Sequence, residues 1–148
     1  MIHRPIPIIC LVFLLLGAAA PIRAQDAVVS VPDAEAIRMV ITGQMDAFAR
    51  DDGKAAFAFA APIIRLKFGD AANFMTMVKT GFAAVYRPRK VTFGDLVAPE
   101  LRLPVQRVYV VGPDGNLLAF DYVMERQAGG EWRIAGVYLH HMPSDGPT

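Results

Sequence analysis

The chain has 148 residues, of which 54% are hydrophobic and 20% charged, and its formal net charge is +1 at pH 7 with histidine neutral. This length suits one domain with a single core, and the near-neutral charge gives no electrostatic basis for binding nucleic acid or an anionic membrane. A lone cysteine, Cys10, excludes an intramolecular disulfide, so stability must come from the core.

The first residues have the composition of a secretory signal peptide. A positively charged start is followed by an unbroken apolar run of 13 residues, IICLVFLLLGAAA, and by small residues before Gln25. Such a run is too short to span a bilayer and is typical of a signal-peptide core. We therefore predict that residues 1–24 are cleaved, that residues 25–148 form one mature domain, and that the protein is periplasmic or secreted.

Cleavage at this site would change both the charge and the thiol content of the chain. The mature form loses Arg4, Arg23 and Cys10, which leaves 13 basic and 14 acidic residues and a net charge of −1. We expect no nucleic acid partner, and no membrane association after the signal is removed.

The first half of the mature chain is predicted to be helical. Pro32 and Asp33 suit the first turn of a helix. Apolar residues then fall on one stripe at helical spacing: Ile37, Val40, Ile41, Met45 and Phe48. Asp52 can cap the next helix. Its sequence AFAFA alternates as a strand does, but its alanine content favours a helix.

Proline and glycine divide the rest of this helical half. Pro62 breaks the second helix, because the residue before a proline avoids helical geometry, and Gly69 ends the short turn that follows. Asp70 can cap a third segment that runs to Gly81. One face of this segment is apolar, with Phe74, Met77 and Val78.

The second half of the chain is predicted to form strands. Segments rich in β-branched and aromatic residues, separated by Gly and Pro turns, cover 91–93, 105–111, 117–126 and 132–141. This composition is typical of strands. Helices followed by an antiparallel meander of about four strands predict an α+β domain with its helices packed on one face of the sheet.

The sequence GPDGN predicts a hairpin with a three-residue loop, Pro113–Gly115. In that register Gln106 faces Tyr122, and Arg107 faces Asp121. We expect the helices to cover the face that carries Leu118, Phe120, Tyr122 and Met124. The opposite face would carry Arg107, Tyr109, Ala119 and Asp121.

The pair Gly129-Gly130 predicts a two-residue turn before the last strand. Three residues of that strand would then face the helices: Ala135, Val137 and Leu139. Four would lie on the outer face: Trp132, Ile134, Tyr138 and His140. Trp132, Ile134 and Tyr138, together with Tyr109, would make the outer face more apolar than a solvated sheet face should be. A homodimer formed through this face is therefore an expectation.

Several runs of the chain, in order, match a known pattern: IRMVITGQMDAFARDDGKAAFAFAAPIIRLKFG, NFMTMVKTGF, VYRPRKVTFG, VQRVYV and YVMERQAGGEWRIAGVYL. These runs, within residues 34–139, resemble the bacterial family called domain of unknown function 4864. The family is similar to the nuclear transport factor 2-like superfamily, in which helices cover a curved sheet as a cone. This resemblance implies a pocket between helices and sheet. It implies no activity, because the family has no catalytic residues to carry over.

Gln44 is a candidate pocket residue because it lies near the centre of the apolar stripe of the first helix. Burying its amide without a partner would cost about 1–3 kcal/mol. Two interpretations stay open: a structural amide bonded to the sheet or to backbone, or a pocket-lining group that contacts a ligand. Gln106 and Tyr122 are its predicted partners and further pocket candidates.

Tyr86 and Arg87 begin the sequence YRPRK, which places three cations beside an aromatic ring. These two residues could line the mouth of the pocket and hold an anion there, or the run could be a solvated junction in which Pro88 sets an extended entry. His140 and His141 would point to opposite faces of a strand. We therefore expect neither a metal site nor another cofactor.

Three functions are compatible with these residues. The first is an exported, non-catalytic binding or interaction module with a possible small-molecule ligand in a helix–sheet pocket. The second is a small-molecule isomerase or lyase, which needs an acid inside the cone. The third is a structural dimer with a filled pocket. The helix stripe contains no acid, and Asp121 is predicted outside with Arg107, so we predict no catalytic residue and favour the binding module.

Overall fold

The computed structural model describes residues 29–99 and 102–142. The predicted signal peptide lies outside these residues and stays a prediction. Five helices precede four strands: α1 Val31–Ala49, α2 Gly53–Ala58, α3 Pro62–Phe68, α4 Ala71–Gly81, α5 Ala83–Tyr86, β1 Lys90–Val97, β2 Val105–Val111, β3 Leu117–Arg126 and β4 Trp132–His140. The strands form an antiparallel, curved and unclosed sheet in the order β1-β2-β3-β4, which confirms the α+β prediction.

Side-chain caps set the beginnings of the helices α1, α2 and α4. The Ser30 side chain accepts a hydrogen bond from the backbone N–H of Asp33 and so caps α1. Asp52 accepts from the Ala55 N–H at the start of α2, and Asp70 accepts from the Asn73 N–H at the start of α4. Each side chain satisfies a backbone donor that has no partner inside its helix. These caps confirm the predicted helix boundaries.

The stretch between α2 and α3 is attached to the edge of the sheet. The Ile134 N–H donates to the Phe59 carbonyl at 2.9 Å, and the Ala61 N–H donates to the Ile134 carbonyl at 2.8 Å. The Phe59 ring also packs on α1 at Gly43, where a Cβ atom would lie only 2.7 Å from the ring. The break at Pro62 therefore leaves an extended segment that covers part of the β4 edge.

The hairpin of β2 and β3 has the predicted register. Gly115 has a φ of +87°, which glycine adopts without strain, and it ends the predicted three-residue loop. Gln106 pairs with Tyr122, and Arg107 pairs with Asp121. On the helix-facing side, Phe120, Tyr122 and Met124 are buried. The predicted faces of these two strands are confirmed.

The face predicted for the first part of β4 is wrong. The turn has three residues, because the Gln127 N–H bonds to the Glu131 carbonyl around it, so Arg126 pairs with Trp132 and Met124 with Ile134. Trp132 and Ile134 thus lie on the helix side, where Ile134 is 3% exposed.

A bulge then restores the predicted alternation in the rest of β4. The pairing shifts by one residue after Met124, so Ala135 is the extra residue and Val137 pairs with Tyr122. A bulge inserts one residue into one strand and reverses which face the following side chains occupy. Val137 and Leu139 therefore lie on the helix side and Tyr138 on the outer side, as predicted.

A second bulge lies in β1, at Gly94 and Asp95. The buried amide of Gln106 donates from Nε2 to the Gly94 carbonyl at 2.9 Å and to its neighbour's carbonyl, that of Arg107, at 2.9 Å. The side chain of Gln106 therefore holds the bulge. Asp95 is exposed. Among the described helices, none combines the length and the apolar character needed to cross a bilayer.

Candidate functional site

An apolar cavity of about 300 Å³ lies between the helices and the β3–β4 part of the sheet. Most of its lining is aromatic or aliphatic: Phe48, Phe68, Phe74, Phe82, Ile64, Met77, Val78, Val85, Ile134 and Val137. Protein interiors contain few voids larger than a water molecule. A cavity of this size at the lower end of the range for small-molecule sites, roughly 300–1,000 Å³, is therefore the first candidate for a functional site.

Phe74 on α4 is the centre of the aromatic wall. Its ring lies 6.1 Å from that of Phe48, 5.2 Å from that of Phe57 and 5.8 Å from that of Phe68, measured between centroids. Tilted and edge-on ring pairs at these distances are favourable beyond the area they bury. The four rings therefore join α1, α2, α3 and α4, and three of them, those of Phe48, Phe68 and Phe74, line the cavity.

Two polar side chains lie at the closed end of the cavity. Gln44 is 3% exposed, and its Nε2 donates to the Ala56 carbonyl of α2 at 3.2 Å. Gln44 is thus buried as the stripe predicted, but its hydrogen-bond partner is a helix and not the sheet.

Tyr122 is the second polar residue at the closed end. It is 0% exposed, and its hydroxyl has no hydrogen-bond partner among the described residues. Its cross-strand neighbour Gln106 has a buried oxygen, Oε1, that also has no hydrogen-bond partner among the described residues. Burial raises the pKa of Tyr122 above its usual value, so the phenol stays protonated and acts as a donor.

The open end of the cavity carries a cation. Lys67 and Tyr138 are the exposed members of the lining, and Tyr138, whose side chain lies on the outer face, borders the cavity at the β4 edge of the sheet. The Nζ atom of Lys67 lies 5.6 Å from the centroid of the Phe68 ring, which also lines the cavity. Next to it on α3, Ile63 and Leu66 are 64% and 85% exposed. The lining therefore extends from the buried neutral residues Gln44 and Tyr122 to the exposed ammonium group of Lys67.

The described residues that line the cavity include no carboxylic acid and no histidine. Across residues 29–99 and 102–142, no three side chains of His, Cys, Asp or Glu come together as a group that could hold a metal ion. Tyr122 cannot act as a base near neutral pH, since burial favours its protonated form. Among the described lining residues, Lys67 is the charged one.

Comparison with known proteins identifies the family. The family model described as Domain of unknown function (DUF4864) matches residues 30–146. The chain belongs to this family. Neither the curated proteins nor the solved structures contain a match to the chain.

Tyr86 and Arg87 of the DUF4864 domain lie away from the cavity, in a second groove of about 630 Å³ between α1 and β1. The Tyr86 hydroxyl donates to Asp51, and Arg87 Nη2 lies 2.8 Å from Asp51 Oδ2. Arg87 also donates to the Phe48 carbonyl near the end of α1. These bonds hold the pKa of Asp51 below its usual value, the Tyr86 hydroxyl most of all. The pair therefore fastens α5 to the end of α1.

The five residues predicted to line a pocket are thus separated in the DUF4864 domain. Gln44 and Tyr122 meet at the cavity, Tyr86 and Arg87 line the other groove, and Gln106 is buried against β1. Sequence reasoning missed Lys67. A signal was present, because Ile64, Lys67 and Phe68 have the spacing of one helix face.

A cluster of charged groups lies on the outer face of the sheet. Arg107 Nε donates to Asp121 Oδ1 at 2.9 Å, and His140 Nδ1 lies 2.9 Å from Asp121 Oδ2. Burial alone raises the pKa of Asp121, but the hydrogen bonds from Arg107 and His140 outweigh that effect and hold it below its usual value. The predicted register paired Arg107 with Asp121 and put His140 on the same outer face, but it did not predict the contact between His140 and Asp121.

The outer face is less apolar than the sequence predicted. Trp132 and Ile134 lie on the helix side, and the Trp132 Nε1 donates to Asp33 at the start of α1. Two of the four residues that suggested a homodimer through this face are therefore absent from it, while Tyr109 and Tyr138 remain. The homodimer stays a prediction.

Proposed function

We propose that this DUF4864 domain is an exported, non-catalytic binding module that holds a small, mostly apolar molecule in the cavity between its helices and sheet. The proposal rests on the cavity. A packed core in the same place would stabilise the fold more than an unfilled cavity does. We also propose that the fold belongs to the nuclear transport factor 2-like superfamily. The order of helices before a curved, unclosed antiparallel sheet supports this assignment.

The composition of the lining supports a binding role. Ligand sites are mostly apolar and contain a few polar groups that fix orientation. Here the apolar wall has two neutral polar residues, Gln44 and Tyr122, at its closed end. Filling the cavity would restore the dispersion contacts that its walls lack.

The alternative function, an isomerase or lyase, needs an acid or a histidine on the inner face of the sheet. The acids that could have supplied it lie elsewhere. Asp121 is bonded to Arg107 on the outer face, and Asp95 is exposed at the β1 bulge. We therefore favour binding over catalysis.

The test replaces a methionine of α4 that lines the cavity by tryptophan. The control makes the same replacement at an exposed methionine of α1. Met77 lines the cavity, whereas Met39 on α1 is 73% exposed. We expect the wild-type protein to bind the apolar fluorescent probe N-phenyl-1-naphthylamine, and the Met77→Trp variant to bind it at least about tenfold more weakly, because the indole occupies the space. The Met39→Trp variant should bind as the wild type does.

Circular dichroism and thermal unfolding check that each variant is folded before binding is measured. A wild-type protein that does not bind the probe, or binding that the two tryptophan variants reduce equally, would contradict the proposal. Binding lost only in the folded Met77→Trp variant supports it.

A further inference from the structure

We infer that the ligand is an amphipathic anion whose acidic end pairs with Lys67 at the open end of the cavity while its apolar body fills the interior. This inference rests on the proposed function and specifies the ligand class: a monocarboxylate with a linear or compact apolar chain. At roughly 30 Å³ for each water-sized group, the cavity of about 300 Å³ holds about ten such groups.

The charges around the opening support an anion. The helices α3 and α4 and the strand β4 supply Lys67, Met77 and Tyr138 to the cavity, and these three elements contain basic residues but not a single Asp or Glu. The acid nearest along the chain, Asp70, uses its carboxylate to cap α4. A site bordered by one sign of charge attracts ligands of the opposite sign.

Lys67 is distinguished from the other cations of these elements by its contacts. Arg65 donates a hydrogen bond to the Ala60 carbonyl. Lys79 lies 3.4 Å from a carboxylate oxygen of Asp51, and Arg133 forms an ion pair with Glu131. Lys67 lines the cavity, and its ammonium group lies against the ring of Phe68. A carboxylate at the opening would therefore meet this ammonium group.

The closed end of the cavity determines the orientation. Gln44 and Tyr122 are neutral, and burying a carboxylate among apolar groups without a cation is strongly unfavourable. The acidic end must therefore remain at Lys67, where it is also partly hydrated. The opposite, apolar end of the ligand lies in the interior of the cavity, which Gln44 and Tyr122 help to line.

The experiment compares two ligands with the same chain, decanoate and decan-1-ol, as competitors of N-phenyl-1-naphthylamine. It uses the wild type and two variants, Lys67→Met and Lys54→Met; Lys54 is an exposed residue of α2 that does not line the cavity. We expect decanoate to bind the wild type about fivefold more tightly than decan-1-ol, a preference typical of a partly exposed ion pair. Lys67→Met should abolish this preference, and Lys54→Met should preserve it.

Salt gives a second measurement, because mobile ions screen an exposed pair. Raising the ionic strength should weaken the binding of decanoate and leave that of decan-1-ol unchanged. Equal affinity of the wild type for both ligands, or a preference that survives Lys67→Met, would overturn the anion inference while the cavity proposal stands. A wild type that binds neither the probe nor either ligand would overturn both.

Discussion

The two faces of the sheet differ in the kind of polar group they contain, although they belong to the same strands. Asp121 and Tyr122 are adjacent in β3, yet Asp121 joins a charged cluster on the outer face and Tyr122 lies in the neutral wall of the cavity. The outer cluster satisfies its charges through Arg107 and His140. The inner face contains polar groups that are neutral at pH 7. Because of the strand register, Asp121 therefore faces away from the cavity and Tyr122 faces toward it.

The largest effect should follow from placing a charge on the inner face of β4. Ile134→Asp should lower the free energy of unfolding by about 3 kcal/mol or more, because a buried carboxylate there has no cation to pair with. On the outer face of the same strand, Tyr138 is 63% exposed, and Tyr138→Asp should change stability by only about 0.5 kcal/mol. Urea unfolding followed by circular dichroism measures both. Equal losses would mean that Ile134 does not face the helices.

A smaller effect is expected from removing the charge at the centre of the outer cluster. Asp121→Asn should lower the free energy of unfolding by about 1 kcal/mol at pH 7, since its contacts with Arg107 and His140 are only partly buried. Asp95→Asn, at an exposed position of the β1 bulge, serves as the control and should be neutral.

The same substitution should change how stability depends on pH. The pKa of Asp121 is lowered in the folded protein, so its contribution is present above the unfolded value of about 3.9 and is lost as pH falls through the lower folded value. The difference in stability between wild type and Asp121→Asn should therefore shrink below about pH 4. A difference that stays constant from pH 7 to pH 3 would show that the carboxylate is not held by these contacts.

The smallest effect should come from the hydroxyl on the inner face. Tyr122→Phe removes an oxygen that has no partner among the described residues, so stability should stay within about 0.5 kcal/mol of the wild type or rise slightly. Tyr86→Phe, which breaks a hydrogen bond to Asp51, should lose more. Thermal unfolding of both variants makes the comparison. A large loss in Tyr122→Phe alone would mean that the hydroxyl has a partner in the folded protein.

The two hairpins show which parts of the fold could be predicted. The loop Pro113–Gly115 has a proline that sets the turn and a glycine at its left-handed position, so one register followed from the sequence. The loop before β4 contains Gly129 and Gly130, which fit turns of either two or three residues. Only Gly130 has a positive φ, 93°. A one-residue difference in the turn reversed the face assigned to Ile134.

The cavity could be predicted only in part. Helical spacing placed Gln44 on the buried side of α1, because that pattern depends only on local geometry. Its partner, the Ala56 carbonyl, depends on how α2 packs against α1, and periodicity contains no information about that packing. The same limit applies to Lys67, whose place at the opening depends on how the short helix α3 sits against the end of β4.

The bulge that Gln106 stabilises has a further consequence for how the protein behaves at high concentration. A free strand edge offers unpaired backbone groups to a second chain, and a bulge twists such an edge out of the flat shape that pairing requires. The segment at Phe59 covers part of the β4 edge, and the bulge at Gly94 distorts the β1 edge. By bonding to the carbonyls at this bulge, Gln106 is therefore expected to disfavour the pairing of β1 with the strand edge of another molecule.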